Sequence, residues 1–237
     1  MSEADATTVV RAALFDLDGT LVDSEVHTDE AIRVVAARHG VDGFSLPHTE
    51  TRGRTWQHVA DVMRTRTHID RPNEVLAAEL LEYWSEIAAN VKPVPGAPEA
   101  VRAAGQRLKL AVVSSSPQSV IDTFLGKLGV DHCVEPRARI GSDAIRRSKP
   151  DPEGFLLAAR VLEVAPEHAV VFEDSRAGLL AARAAGMRSI FVSRCAADIP
   201  GNTALATAAL TDYRALPAGF WKELADGRLE LAGRSFA

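Results

Sequence analysis

The chain has very little cysteine: Cys133 and Cys195 are the only two in 237 residues. They are far apart and lack a second ligand pair at zinc spacing, which excludes a disulfide scaffold and a metal cluster and leaves buried, reduced thiols as the expectation. Long apolar runs are also missing, so no segment reaches the roughly 20 residues needed to cross a bilayer. Blocks of one charge are absent as well. The formal charge is −5, and the cluster Arg137, Arg139, Arg146, Arg147 is interrupted by acids and apolar residues, so there is no basic footprint for nucleic acid. The opening Met-Ser-Glu-Ala-Asp carries acid where a secretory leader carries base. These absences predict a cytoplasmic protein with neither membrane nor nucleic acid as partner.

What remains has the balance of a globular protein, 46% hydrophobic and 25% charged. The length suits one α/β domain plus a smaller inserted or appended one. Val9 to Phe15 is apolar except for Arg11 and runs into Asp-Leu-Asp-Gly-Thr, the pattern of a buried parallel strand leading into a glycine-containing loop. From Ser24 to about Val91 the texture is helical. Ile32, Val35 and Ala36 mark one helix ending at Gly40; Trp56, Val59, Ala60 and Met63 mark a second; Val75, Leu76, Leu80, Trp84 and Ile87 mark a third. Beyond Pro93-Val94-Pro95-Gly96, strands predicted at Leu110–Val113, Ala169–Phe172 and Ser189–Val192 alternate with helices. The predicted architecture is a doubly wound, Rossmann-like α/β core, residues 1–22 and 93–237, with an inserted α-helical cap domain over 23–92. The tail from Tyr213 to Ala237, with Phe220, Trp221 and Leu224, is expected to pack as a final helix.

In an open parallel sheet the strand C-termini share one edge, so polar residues just after different strands converge there. Asp16 and Asp18 follow the first strand, and Gly19 permits the turn that aims both at one site. Ser114 follows Leu110–Val113, Glu173 and Asp174 follow Ala169–Phe172, and Lys149 precedes the helix that contains Phe155. Carboxylates gathered at a dry edge repel one another unless a cation sits among them. Oxygen ligands together with a phosphate favour Mg²⁺.

In this order, Asp16-Leu-Asp18-Gly-Thr, Ser114, Lys149-Pro and Glu173-Asp174 resemble the four motifs of haloacid dehalogenase-like phosphotransferases. The stretch Glu-Asp-Ser-Arg-Ala-Gly-Leu-Leu-Ala-Ala-Arg-Ala-Ala-Gly-Met is close to the fourth, and the resemblance spans about residues 12–192. It implies Asp16 as the nucleophile that forms an aspartyl-phosphate and Asp18 as general acid and base. It further implies Mg²⁺ held by Asp16, the backbone carbonyl of Asp18 and Asp174, with Glu173 beside it or acting through water, while Lys149 and Ser114 steady the phosphoryl oxygens. Ser114 also suits a helix N-cap before Pro117.

The subfamily with a helical cap, which includes β-phosphoglucomutase-like and sugar-phosphate phosphatases, fits best. An acid at Asp18 favours phosphoryl transfer over dehalogenation, since halide needs no proton. Residues 24–91 contain no lysine, which disfavours the imine-forming phosphonate branch. Mutases carry a cap histidine at the position of Thr28 and a phosphate-holding arginine near that of Trp56; here His27 is one residue out of register. The cap's five histidines, His27, His39, His48, His58 and His68, show no metal spacing. Arg52-Gly53-Arg54-Thr55 precedes a helix that Thr55 can cap, and suits a loop closing over an anionic substrate; solvated arginines and a core Trp56 fit the same residues. Thr20, Glu25, Arg52, Arg54, Trp56 and Ser115 are the candidate substrate contacts. The expected function is a Mg²⁺-dependent phosphatase for a small phosphorylated metabolite, a monomer or weak homodimer, with a β-phosphoglucomutase-type isomerase as first alternative and a non-catalytic binding protein as second.

Overall fold

The structure, a computed structural model, describes residues 9–196 and 198–236. Strand β1 (Ala12–Phe15) is followed by four helices: α1 (Glu25–Arg38), α2 (His48–Thr51), α3 (Trp56–Arg66) and α4 (Asn73–Ile87). The chain then alternates through α5 (Ala97–Gly105), β2 (Lys109–Val113), α6 (Gln118–Leu128), β3 (Arg139–Ile140), α7 (Glu153–Leu162), β4 (Ala169–Glu173), α8 (Arg176–Ala184) and β5 (Arg188–Val192). It ends with α9 (Ile199–Leu205), β6 (Ala208–Leu210), α10 (Phe220–Ala225) and β7 (Arg234–Phe236). The strands form one seven-stranded sheet in the order β3-β2-β1-β4-β5-β6-β7, and every neighbouring pair is parallel.

Complete burial explains why the central strands read as continuous apolar runs and not as alternating ones. Every residue of β1 and β4 is buried. Phe15 and Phe172, register partners on these strands, stack with ring centroids 4.9 Å apart. Each buried ring of this kind contributes about 1.5–3 kcal/mol of transfer free energy. Strand order reverses between β1 and β4, and the crevice beyond the strand ends at such a switch point is where open α/β sheets bind ligands. The chain leaves and rejoins the sheet layer side by side: Asp23 N–H donates to the Lys92 carbonyl at 2.9 Å and Val94 N–H to the Leu21 carbonyl at 2.9 Å. The helical insertion thus hangs from two adjacent linkers. Within it α4 packs against both α1 and α3.

Three elements depart from the sequence expectations. The tail forms helix α10 but then adds strand β7 on the edge of the sheet, so a final helix alone is corrected to helix plus strand; Ala237 lies outside the described residues. Val75 is exposed and not on the buried face of α4. Cys133 and Cys195 are unpaired but only half-buried. No helix among the described residues is long and apolar enough to cross a membrane.

Candidate active site

The end of β1 is pinned to that of β4, because Asp16 N–H donates to the Phe172 carbonyl at 3.0 Å. This sets Asp16 beside Glu173, the last residue of β4, and Asp174 after it. Lys149 arrives from the loop before α7 and is buried. Its ammonium donates to Asp16 Oδ1 at 2.5 Å and to Glu173 Oε1 at 3.1 Å. Burial alone would lower the lysine's proton affinity, but the two carboxylates outweigh it and hold it protonated.

Glu173 is fully engaged by the protein. Oε1 accepts from Ser175 Oγ at 2.9 Å in addition to Lys149, and Oε2 accepts from Asp174 N–H at 3.0 Å. Gly178 makes room for it, since a Cβ there would lie 1.5 Å from Glu173 Oε1. Asp174 is treated differently. Thr20 donates to its Oδ1 at 3.4 Å, while its Oδ2 is buried with no partner. A buried, orphaned carboxylate oxygen is costly. One oxygen each of Asp16, Glu173 and Asp174 falls within 4.8 Å of the others. Burial pushes Glu173 up to about 7, with the Asp16 charge adding to it, and raises Asp174 well above the ordinary range, with Glu25 and Glu173 adding. Oxygens of these three acids, the one on Asp174 without a partner, form a donor set that a hard divalent cation fits, with Lys149 balancing part of their charge.

Asp18 sits in a cradle of hydroxyls. Ser24 Oγ donates to Oδ1 at 2.8 Å, and Ser116 and Ser114 donate to Oδ2 at 3.0 and 3.3 Å. Burial and the Asp16 charge raise its pKa to about 6, and the three serines pull against that rise. Ser114 does not cap α6, whose first residue follows Pro117 without a side-chain cap; its oxygen accepts from Ser116 N–H at 3.0 Å.

The loop between α2 and α3 lies directly on this edge. Arg54 donates to the Lys149 carbonyl at 3.1 Å, and the Gly53 carbonyl accepts from Ser115 Oγ at 2.9 Å. Gly53 has φ +67°, and a Cβ there would stand 2.3 Å from Ser175 Oγ. Arg52 donates to the Cys195 carbonyl and pairs with Glu25, Nε to Oε2, at 3.3 Å. Burial pushes Glu25 up to about 8; Arg52 opposes the rise and Asp18 and Asp16 add to it. Thr55 caps α3 by accepting from His58 N–H.

Between insertion and sheet is a cavity of about 40 Å³ bordered by Asp16, Asp18, Glu25, Arg54, Trp56 and Trp84. A second recess of about 30 Å³ opens on the Asp174 side and is lined by Arg52 and Ser175. A larger concavity, about 620 Å³ between α5 and the tail, contains none of these carboxylates. Of the residues predicted from sequence, Asp16, Asp18, Ser114, Ser115, Glu25, Arg54 and Trp56 face the one cavity. Thr20 is wholly buried against Asp174, and Arg52 is turned to the other recess. Ser24, Thr51, Ser116, Ser175 and Trp84 were not anticipated. The run Ser114-Ser115-Ser116 held the signal for one of them, because residues two apart on an extended segment face the same side. Among the described residues no histidine joins a group placed to hold a metal.

The profile of the haloacid dehalogenase-like hydrolases matches residues 13–192. A validoxylamine A 7′-phosphate phosphatase of Streptomyces hygroscopicus is 36% identical over 184 residues, 75% of this chain and 83% of that protein. A fructose-1-phosphate phosphatase of Escherichia coli is 31% identical over 180 residues, 76% and 94% of the two chains. A β-phosphoglucomutase from Clostridium difficile superposes with a TM-score of 0.75 over 92% of this chain and 98% of that one, at 20% identity, a likeness of fold alone. The motif residues thus meet at one sheet edge in a chain matched by the profile over most of its length, and the protein is a member of the haloacid dehalogenase-like hydrolase family.

Proposed function

We propose that the protein is a Mg²⁺-dependent phosphatase that hydrolyses a small phosphomonoester, of a sugar or polyol, through an aspartyl-phosphate on Asp16. The observation that carries this reading is the pairing of two carboxylates in opposite environments two residues apart. Asp16 Oδ1 accepts from the Lys149 ammonium at 2.5 Å, at the strand end where a carboxylate nucleophile would meet phosphorus. Asp18 is lifted to about 6, so that near neutral pH it exchanges a proton readily.

In the first step an Asp16 oxygen bonds to phosphorus, the bond from phosphorus to the alcohol oxygen breaks, and Asp18 delivers its proton to that oxygen. In the second, Asp18 takes a proton from water as the water oxygen attacks phosphorus, and the bond to Asp16 breaks to release phosphate. Asp16, Asp174 through its free oxygen, and the Asp18 carbonyl would hold Mg²⁺, which when bound neutralises charge on the phosphoryl oxygens. Glu173, engaged at both oxygens, orients Lys149 and the Asp174 turn. Ser114 and Ser115 flank the phosphoryl position.

Residues 23–92 act as a cap on the core of 1–22 and 93–237, of which 1–8, 197 and 237 lie outside the described residues, turning on the paired linkers at Val22 and Pro93. Because the closed cavity has room for only a few water molecules, the cap must swing open to admit an ester and close again to exclude bulk water. The activities of the two phosphatase relatives support this reading. A mutase must anchor a second phosphate, for which Arg54 on this cavity is a candidate, but the position at which mutases carry a cap histidine is Thr28 on the same wall, which favours hydrolysis. The test is a panel of phosphate esters and β-glucose 1-phosphate with Mg²⁺, using Asp16→Asn as control. Phosphate release abolished in the variant is expected; isomerisation with little release, or release that survives the substitution, refutes the proposal.

A further inference from the structure

We propose that Glu153 is a positioning residue for Lys149: from the first turn of α7 its carboxylate holds the two backbone N–H groups that lead into the lysine, and so fixes the ammonium on Asp16. The proposal rests on the phosphatase reading and adds to it a residue outside the four motifs.

Lys149 is not placed by a strand. Asp16 directly follows β1 and Glu173 ends β4, so the hydrogen bonds of the sheet fix both. Between β3 and α7 the chain runs through residues 141–152 with a single short turn of 3-10 helix, Ser142–Ala144. Yet the lysine ammonium must reach Asp16 Oδ1 at 2.5 Å and Glu173 Oε1 at 3.1 Å. A long side chain on irregular backbone keeps such a geometry only if the backbone beneath it is held.

Glu153 supplies that hold. Its Oε1 accepts from Arg146 N–H and its Oε2 from Arg147 N–H, each at 3.0 Å. Both oxygens are used, and bonds to an ionised acceptor are the stronger kind. After them the chain tightens: Asp151 N–H donates to the Ser148 carbonyl at 3.0 Å, and Glu153 N–H donates to Asp151 Oδ1 at 3.0 Å. The turn that carries Lys149 is thereby tied to α7 on both sides. The helix itself is set firmly on the sheet. A Cβ on Gly154 would stand 2.9 Å from Val113 Cγ1 of β2, and Phe155 is buried with its ring centroid 5.2 Å from the Lys149 ammonium. One helical turn thus steadies the lysine at its backbone and at its charged end.

An acid in the first turn of a helix also complements the helix dipole, and that role alone would leave Lys149 where it is. Arg147 pairs with Glu153 at 3.6 Å but is largely exposed, so this ion pair contributes little. The two backbone bonds are what separate a positioning role from a dipole role. Glu99 offers the comparison, being an acid in the first turn of α5 that pairs with Arg102 of its own helix.

The experiment measures kcat and KM for p-nitrophenyl phosphate with Mg²⁺, together with thermal melts, in wild type, Glu153→Ala, Glu153→Asp and Glu99→Ala. Misplacing the lysine by about 1 Å should lower kcat about a hundredfold in Glu153→Ala, with KM within about threefold of wild type. Glu153→Asp, which keeps both acceptor oxygens, should recover at least about tenfold of that loss, and Glu99→Ala should stay within about twofold of wild type. A crystal structure of Glu153→Ala should show the Lys149 ammonium withdrawn from Asp16. If Glu153→Ala does not fold, Glu153→Gln replaces it; one acceptor oxygen remains, and a loss of about tenfold in kcat is expected. With Asp16-dependent hydrolysis present in wild type, four results each overturn this proposal alone: kcat of Glu153→Ala within threefold of wild type, a loss carried by KM, no recovery in Glu153→Asp, or a lysine still seated on Asp16. Absence of Asp16-dependent hydrolysis in wild type overturns the phosphatase reading and this proposal with it.

Discussion

Replacing Gly53 by alanine should disable the enzyme without unfolding it. Gly53 lies at φ +67° in the loop that the cap lays on the sheet edge, and the new Cβ would stand 2.3 Å from Ser175 Oγ and 3.1 Å from Ser175 Cβ. Ser175 cannot move aside freely: its hydroxyl donates to Glu173 Oε1 at 2.9 Å and accepts from Gly178 N–H at 3.1 Å, capping α8. Breaking a hydrogen bond to a charged acceptor costs about 1.5–3 kcal/mol, and the left-handed conformation adds about 1 kcal/mol for a residue with a Cβ. Opening the cap relieves the contact but not the backbone strain, so only the lost hydrogen bond falls on the closed state. About 2 kcal/mol against closure removes roughly thirtyfold of the closed population, and kcat/KM for any ester should drop by about that factor. Gly40→Ala is the matched control, because Gly40 has φ +79° with nothing within 4 Å of a built Cβ; it carries the backbone strain without the contact. Steady-state kinetics and thermal melts of the two variants decide the matter. Gly53→Ala activity within threefold of wild type, or a loss matched by Gly40→Ala, refutes the reasoning that this loop must dock for turnover.

Lys149→Met should abolish phosphate release and lower the melting temperature, because it leaves Asp16 and Glu173 buried without their cation, a loss of about 3–5 kcal/mol; retained activity above a tenth of wild type would contradict the clamp. Ser116→Ala removes one of the three hydroxyls that hold Asp18 down toward about 6. Its proton should then persist to higher pH, moving the alkaline limb of the kcat/KM profile for an alkyl ester upward by about one pH unit; an unchanged or acid-shifted limb argues against Asp18 as the proton donor. Without divalent cation, Asp18 at about 6, Glu173 at about 7 and Glu25 at about 8 all bind protons more tightly folded than unfolded. Stability should therefore fall as pH rises from about 5 to about 8, and added Mg²⁺ should restore it most at the alkaline end. A melting temperature that climbs over this range in chelator would show that the cluster is not stabilised by protons in the way described.

The long buried strands and the cap helices were legible because their burial is periodic or continuous over at least four residues. β1, β2, β4 and β5 declared themselves as apolar runs, and α1, α3 and α4 as 3.6-residue stripes. The shorter pieces lacked enough residues for any period: β3 has two residues, β6 and β7 three each, and α2 four. β7 exists only because β6 offers it an edge to pair with. The chemistry at the strand ends was legible for the same topological reason, since Asp16, Asp18, Ser114, Lys149, Glu173 and Asp174 follow or face parallel strands whose C-termini coincide.

What the amino-acid order determined by itself was therefore the layer architecture and the inventory of groups at one edge, because hydrophobic periodicity and strand direction are local properties. Tertiary structure alone decided how those groups are divided. It gave Glu173 its full set of partners and left Asp174 Oδ2 without one, turned Arg52 and Arg54 to opposite sides of Gly53, brought Ser116 to Asp18, and set Trp84 against Trp56. Each of these depends on distances between segments far apart in sequence, and such distances follow from how the cap docks on the sheet, which no local pattern encodes.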